Sequence, residues 1–517
     1  MELRGESSDT PEIVNFATHR TPDRRFKEPV HLSAPVRRSF GYPSVTPPDR
    51  GPAGGERTKM PGSTPKAKPD FPLEIPEEVR QVHETLTAAG HRSVLAGGAV
   101  RDYLLGSPPK DFDLATSAVP EEVDKLFEKT VLVGAQFGVV KVLIGDVEVE
   151  VATFRADIGI ADGRHPEAVR FTDEKEDALR RDFTINGLFW DIDSEEVVDH
   201  VGGLIDLEKG IIRAIGNPVE RFREDRLRMM RAIRFSTVLD FPIDEKTWQA
   251  ILEESAFVKD VSSERIRTEL EKTLISPHRK KGYEMLSDSG LMKVFLPEIE
   301  EMKDVQQPPQ HHPEGDVYVH TGLVIHHLED PSPTLVMGAL LHDVGKPATF
   351  EEAPDRIRFH GHDELGAKMS EEICERLKFS RKQQDRIVYL VRRHLVFMNV
   401  PNMRLATRYR LFEEEGFQEL LDLCKADCLG SHRDMSLYET CKQMYEEWLA
   451  LGPPTEPLLQ GRDLIALGMK PGPGMGAMLE ALDDARRESV ITDKESATQW
   501  VKDRLSAGGS PESSEGI

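Results

Sequence analysis

Apolar positions along the chain change their period several times. Between Phe71 and about Ala214 short apolar runs alternate with stretches of helical spacing. VHETLTAAG (Val82–Gly90) has a helix-like pattern, and SVLAGGAV (Ser93–Val100) reads as a strand running into a glycine turn. VVKVLIGDVEVEVATF (Val139–Phe154) reads as two strands turning at Gly145-Asp146. Strand side chains alternate faces, so Val147, Val149 and Val151 point one way and Glu148 and Glu150 the other. This predicts a head of mixed α and β structure over 71–214. From Asn217 to Glu298 the period becomes helical, most clearly in EDRLRMMRAIRF (Glu224–Phe235) and SSERIRTELEKTL (Ser262–Leu274). A second helical block, His311 to Trp448, holds most of the histidines, and GRDLIALGMKPGPGMGAMLEALDDA (Gly461–Ala485) follows a Pro-Gly break. The expected organisation is a disordered tail over 1–70, the head over 71–214 and a helical neck over 215–300. A histidine-bearing domain over 301–448, a helical region over 449–505 and a frayed end over 506–517 follow.

Composition narrows this picture. The first 70 residues are rich in Pro, Ser, Gly and Arg and read as disordered, and Met60 is an alternative start. No apolar run approaches the ~20 residues of a membrane span, and the N-terminus lacks a secretory pattern. Four cysteines in 517 residues make no disulfide framework. Cys424 and Cys428 lie one helical turn apart and read as buried thiols. A cytoplasmic protein is expected, with no membrane partner. The net charge of −24 argues against coating nucleic acid by bulk electrostatics. RNA contact then needs a local basic patch, and no DNA partner is expected.

The stretch AGGAVRDYLLGSPPKDFDLAT (Ala96–Thr116) places Asp111 and Asp113 two residues apart, on one face if the run is a strand. Paired carboxylates repel unless a cation lies between them, and hard oxygen donors favour Mg²⁺. Glu148 or Glu150 supplies a third carboxylate. Gly97 and Gly98 occupy the strand-to-helix turn, where backbone N–H groups can cradle phosphate. Cation and phosphate together mean phosphoryl or nucleotidyl transfer. The bland alternative, a solvated strand end beside an ordinary turn, does not explain the combination.

GGAVRD…DFDLAT resembles the first motif of class II tRNA nucleotidyltransferases and their relatives, the bacterial poly(A) polymerases. EVATFR (Glu150–Arg155), DGRHPEAVRF, RRDFTINGL (Arg180–Leu188), EDRLRMMRAIRF and SSERIRTEL continue the resemblance in order over roughly Phe71–Leu274. The resemblance implies an α+β nucleotidyltransferase head, with a small mixed or antiparallel sheet and helices, followed by all-α neck, HD and tail domains. It implies that Asp111, Asp113 and Glu150 are the catalytic Mg²⁺ ligands, which favours Glu150 over Glu148. Gly97, Gly98, Arg101, Arg181, Asp182 and Asn186 are implied at the nucleotide.

Asp225 and Arg228 share a face at i, i+3 if the motif is one helix. An acceptor beside a donor fork can mimic a Watson–Crick edge, and the resemblance implies that this pair picks C or A without a template. The alternative is a solvated ion pair. Arg231 and Arg234 continue the stripe, either lining the triphosphate and primer end or pairing with surface acids.

DVYVHTGLVIHHLE, ALLHDVGKP, HGHDELGA, VRRHL and KADCLGS place His320, His342, Asp343, His362, His394 and Asp427 in helical patterns. Imidazole with carboxylate suits a divalent transition metal or Mg²⁺. The series resembles the HD phosphohydrolase superfamily, with His362 favoured over His360. The whole then reads as a tRNA nucleotidyltransferase adding CCA from CTP and ATP, with an associated HD phosphohydrolase. The rivals are a poly(A) polymerase, an enzyme adding only A or only CC, and a nucleotide phosphohydrolase acting through the HD domain. A poly(A) polymerase tends to carry a basic run after the first motif, and VLVGAQFGVVKV (Val131–Val142) has none. A non-enzymatic RNA-binding module fits least, given the acidic charge.

Overall fold

The computed structural model describes residues 13–15, 72–132, 137–160, 166–309, 312–313, 315–452 and 456–506. The expected tail over 1–70 and end over 506–517 lie almost entirely outside these residues, as does part of DGRHPEAVRF. Within the tail segment Ile13–Asn15 is a strand, antiparallel to Pro166–Phe171. The chain divides into two compact units, with the break in the main run between Ile211 and Ile212.

The first unit is built on a seven-stranded sheet. Its strands are β1 (Ser93–Ala96), β2 (Leu114–Thr116), β3 (Thr130–Val131), β4 (Val139–Ile144), β5 (Val147–Thr153), β6 (Leu188–Asp191) and β7 (Glu196–Asp199), in the order β7-β6-β1-β2-β5-β4-β3. All neighbours are antiparallel except β2 and β5, where Leu114 faces Val151 and Thr116 faces Thr153. The predicted hairpin closes between Ile144 and Val147. Alternation does the sorting along β5: Val149 and Val151 are buried, Glu148 and Glu150 exposed. Helix α1 (Glu77–Ala88) buries Val79, Val82, His83 and Leu86. The unit also contains helices α2 (Gly98–Leu104), α3 (Pro120–Leu126), α4 (Glu174–Arg180) and α5 (Gly203–Lys209) and a smaller antiparallel sheet in which Arg155–Ile160 pairs with Pro166–Phe171.

Among the described residues the second unit is helical apart from one short hairpin. Its neck comprises α6 (Pro218–Glu224), α7 (Arg228–Leu239), α8 (Glu245–Glu254), α9 (Ser263–Leu274) and α10 (Arg279–Asp288). Buried Glu254 is held by Arg223 and Arg226. Next come α11 (Val317–His327), α12 (Pro333–Leu341), α13 (His362–Arg376), α14 (Arg381–Arg393) and α15 (Phe417–Gly430). Every residue of α12 from Leu335 to Leu341 is buried, so this helix is apolar all round. The all-helical expectation for this block fails at Glu351–Glu352 and Ile357–Arg358, which pair antiparallel. The intervening turn is held by Asp355, which accepts twice from Arg358 at 2.9 Å. Helices Gly461–Ala466, Pro473–Arg487 and Lys494–Ser506 share a separate core around Leu464, Met478, Leu482 and Val501.

Candidate active sites

Asp111 and Asp113 lie just before β2 rather than inside it, in extended chain whose Asp113 carbonyl accepts from the Ala96 N–H at 3.0 Å. The β2–β5 register places Asp113 beside Glu150, one step beyond the Leu114–Val151 pair. Lost solvation and the charges of Glu150 and Asp111 push the Asp113 carboxyl up to about 6, against the pull of Arg181. The three acids therefore feel one another. Asp111, Asp113 and Glu150 are not among the groups of the described residues whose ligand atoms all lie within 4.8 Å of one another. This set of hard oxygen donors fits Mg²⁺. Glu148 belongs elsewhere: it accepts from Lys141 at 2.8 Å.

The glycine turn is more committed than the sequence suggests. Gly97 has φ +68°, and its N–H donates to Leu188 O at 3.0 Å. A Cβ there would meet Arg181 Nη1 at 3.1 Å. The available cradle is thus the first turn of α2, beginning at Gly98, rather than both glycines. Arg101 is buried, donating to Asn186 Oδ1 at 2.6 Å and Asp102 Oδ1 at 2.6–2.8 Å. Asn186 in turn donates to Asp182 Oδ1 at 3.1 Å. Arg181 is aimed by a residue that sequence reading missed. Asp177 accepts from its Nε and Nη2 at 3.1 and 3.0 Å, and also from Arg180. Burial opposes the charge on Asp177, but Arg181 and Arg180 still hold its carboxyl below the ordinary range.

In the neck the expected single helix is broken. α6 stops at Glu224, Asp225 is extended (φ −142°, ψ 105°), and α7 starts at Arg228. The Asp225 side chain competes for the backbone: its Oδ1 accepts the Leu227 N–H at 3.1 Å. Asp225 and Arg228 do not pair as an i, i+3 bridge on one helical face. Asp225 meets Arg265, while Arg228 donates to Glu224 Oε2 at 2.7 Å and Arg221 O at 3.1 Å. Arg231 and Arg234 both reach buried Glu269, at 3.9 and 2.7 Å, which gives them a structural task within the neck.

The histidine series converges. His320 on α11, His342 and Asp343 after α12, and His362 at the start of α13 surround one point with His394 after α14. Asp343 lies between two histidine pairs. Its Oδ2 is 3.6 Å from His320 Nε2 and 3.2 Å from His342 Nε2, and its Oδ1 is 3.5 and 3.8 Å from His362 and His394 Nε2. Asp427 Oδ1 adds a contact at 3.1 Å to His320. His362 and His394 show why a cation fits. Their Nδ1 atoms lie 2.8 and 2.6 Å from the carbonyls of Phe359 and Val391, which only an N–H can satisfy. In the neutral ring this tautomer leaves Nε2 as a lone pair, and the two Nε2 atoms lie 3.2 Å apart. Burial, with His342 nearby, pushes His394 down to about 4, so it is neutral near pH 7 as a ligand must be. The donor set of imidazoles and one central carboxylate suits one or two divalent ions. His360 is exposed, so His362 is the member of that motif at the centre.

A cavity of about 640 Å³ opens onto this centre. Lys346, Arg358 and Phe359 line it beside the histidines. None was singled out from sequence, although Lys346 stands three residues after Asp343. Lys346 is buried and pinned between Asp343 Oδ2 and Gln307 Oε1, both at 2.7 Å. Gly345 permits the close approach: a Cβ there would lie 2.3 Å from His362 O and 2.8 Å from Gly366 N. Gly345→Ala is expected to cost about 1–3 kcal/mol through overpacking and to spread the histidine pairs. Thermal melts and metal content per chain check both.

Three family descriptions match this chain: "Poly A polymerase head domain" over 93–213, "Probable RNA and SrmB-binding site of polymerase A" over 240–303, and "HD domain" over 316–430. The CCA-adding enzyme of Lactobacillus helveticus is 43% identical over 227 residues, 44% of this chain and 56% of that enzyme. The CCA-adding enzyme of Enterococcus faecalis is 46% identical over 212 residues, 40% and 52% respectively. The chain thus matches little more than half the length of these relatives. In fold it is similar to the Bacillus stearothermophilus CCA-adding enzyme in complex with CTP (TM-score 0.64, 24% identity, covering 83% of this chain and 97% of that one). It is also similar to the Thermotoga maritima CCA-adding enzyme complexed with tRNA (TM-score 0.57, 20% identity, 84% and 97%). No helix among the described residues is long and apolar enough to cross a membrane.

Proposed function

We propose that this chain, which carries a poly A polymerase head domain and an HD domain, is a template-independent tRNA nucleotidyltransferase. It builds CCA on tRNA 3′ ends in the cytoplasm from CTP and ATP. The observation that carries the reading is the acidic cluster: the β2–β5 register sets Asp113 beside Glu150, and lost solvation, then the charges of Glu150 and Asp111, push its carboxyl up to about 6. Such stored repulsion is relieved by a cation. Asp111, Asp113 and Glu150 would hold Mg²⁺, which supplies charge neutralisation at the transferring phosphoryl group and activation of the attacking hydroxyl. Arg181, aimed by Asp177, places positive charge beside the same acids. The α2 N-terminus beginning at Gly98 offers backbone N–H groups to phosphate oxygens. The primer 3′-oxygen attacks the α-phosphorus, the bond to the bridging oxygen breaks, and pyrophosphate leaves. Asp225 and Arg228 select the base, and Asp182 and Asn186 support the ribose.

The HD centre is a phosphohydrolase in this reading. Its supporting feature is the facing lone pairs of His362 and His394 beside a cavity lined by Lys346 and Arg358. A divalent ion bound there would supply an activated water and neutralise phosphate charge. The ribose and base of a nucleotide would find apolar walls at Phe359 and Phe397.

The test is extension of a tRNA ending at the discriminator base, with CTP and ATP supplied separately and together. CTP alone should add two residues, and both nucleotides three. Long A tails would make the protein a poly(A) polymerase instead, and no extension at all would leave only the HD activity.

A further inference from the structure

Asp225 stands at the break between two helices, and its carboxylate is gripped from a third. Arg265 of α9 donates from Nη1 to Oδ1 at 3.2 Å and from Nη2 to Oδ2 at 2.7 Å. Oδ1 also accepts the Leu227 N–H at 3.1 Å. A carboxylate oxygen has two in-plane lone-pair sites. Oδ1 is therefore filled, and Oδ2 has one acceptor site left, which no second donor reaches among the described residues. The two-pronged grip of a guanidinium also stops the carboxylate from turning about its Cβ–Cγ bond.

We propose that Arg265 is a specificity-determining positioning residue: by consuming the other lone pairs and locking the plane, it leaves Asp225 a single oriented acceptor for a base. This deepens, and rests on, the nucleotide-adding function proposed above. One fixed acceptor welcomes the exocyclic amine of cytosine or adenine. It repels the carbonyl oxygen that uracil or guanine presents at the same place, because two acceptors face each other with no proton between them. A carboxylate that rotates has a way out of that clash, by turning aside and letting water bridge to the carbonyl. Arg265 therefore acts on the choice between nucleotides rather than on the transfer step.

The test uses the full chain with Arg265→Lys and Arg265→Gln, read against the native protein. Incorporation of CTP and UTP is measured on tRNA ending at the discriminator base, and of ATP and GTP on tRNA ending in CC. Lysine keeps the charge but donates as a point, and glutamine reaches at most one oxygen. Both variants should lose roughly tenfold or more of the CTP-over-UTP and ATP-over-GTP preference, the factor carried by one charged hydrogen bond. A purely structural role would slow all four nucleotides in proportion and leave the ratios intact. Unchanged ratios in Arg265→Lys, with a native melting curve, would overturn the inference while leaving the nucleotidyltransferase reading in place. A native protein that took UTP as readily as CTP would bring down that reading, and this inference with it.

Discussion

Asp111→Ala is expected to abolish nucleotide incorporation and to leave hydrolysis at the proposed HD centre measurable. The expected loss is at least about thousandfold, the rate equivalent of about 4 kcal/mol of transition-state charge stabilisation. Asp113→Asn has the same effect on transfer, but in the metal-free protein it acts oppositely on stability. The folded carboxyl titrates at about 6 against an ordinary 3.8. Between those values the folded state holds more protons than the unfolded one, so this group makes stability rise as pH falls. Above about pH 6 its charge is a liability that asparagine removes. Metal-free Asp113→Asn should therefore melt above the native protein at pH 7.5, with the gap narrowing as pH falls through about 6 and closing only below about 4. Adding Mg²⁺ should raise the native melting point and not that of the variant. A variant that still extends tRNA, or melts with the native protein at every pH, would dissolve the acidic site.

Asp343→Asn is expected to prevent metal binding at the proposed HD centre. The two histidine pairs meet at this carboxylate, within 3.2–3.8 Å, and the amide offers them no charge. Metal content per chain and phosphohydrolase activity should both fall to background, while CTP and ATP incorporation persists. The substitution also strands Lys346, whose ammonium is buried 2.7 Å from Asp343. Breaking one side of a buried pair costs about 3–5 kcal/mol. Asp343→Asn/Lys346→Met should recover most of that stability in a urea titration without recovering metal. A double variant no more stable than the single one would mean that Lys346 is not the counter-charge. Retained metal in Asp343→Asn would place the ligands elsewhere.

Much of this protein was legible in the residues alone, because its signals are local. The period of two in VEVEVAT separates buried Val149 and Val151 from exposed Glu148 and Glu150, while Val147 at the strand's start stays exposed. Gly145-Asp146 turns the hairpin for the same reason, since Gly145 takes φ +60° without a Cβ penalty. The histidine motifs are likewise local, each lying in its own helical pattern. Wherever a side chain's role depends on a partner remote in sequence, the linear pattern is silent. Asp225 and Arg228 look like an i, i+3 pair, yet Asp225 is claimed by Arg265, forty residues away. Arg231 and Arg234 read equally as a phosphate-lining stripe or as ion-paired arginines, and only the fold shows that Glu269 is brought beside them. Asp177 and Arg181 are the counter-example: four residues apart, they form a local i, i+4 pair that the spacing offered and the sequence reading passed over. The sequence by itself determined which chemical groups exist and the periods on which they are presented. Only the tertiary structure decided which charges face each other, because Coulomb and hydrogen-bond energies depend on distance in space and are indifferent to separation along the chain.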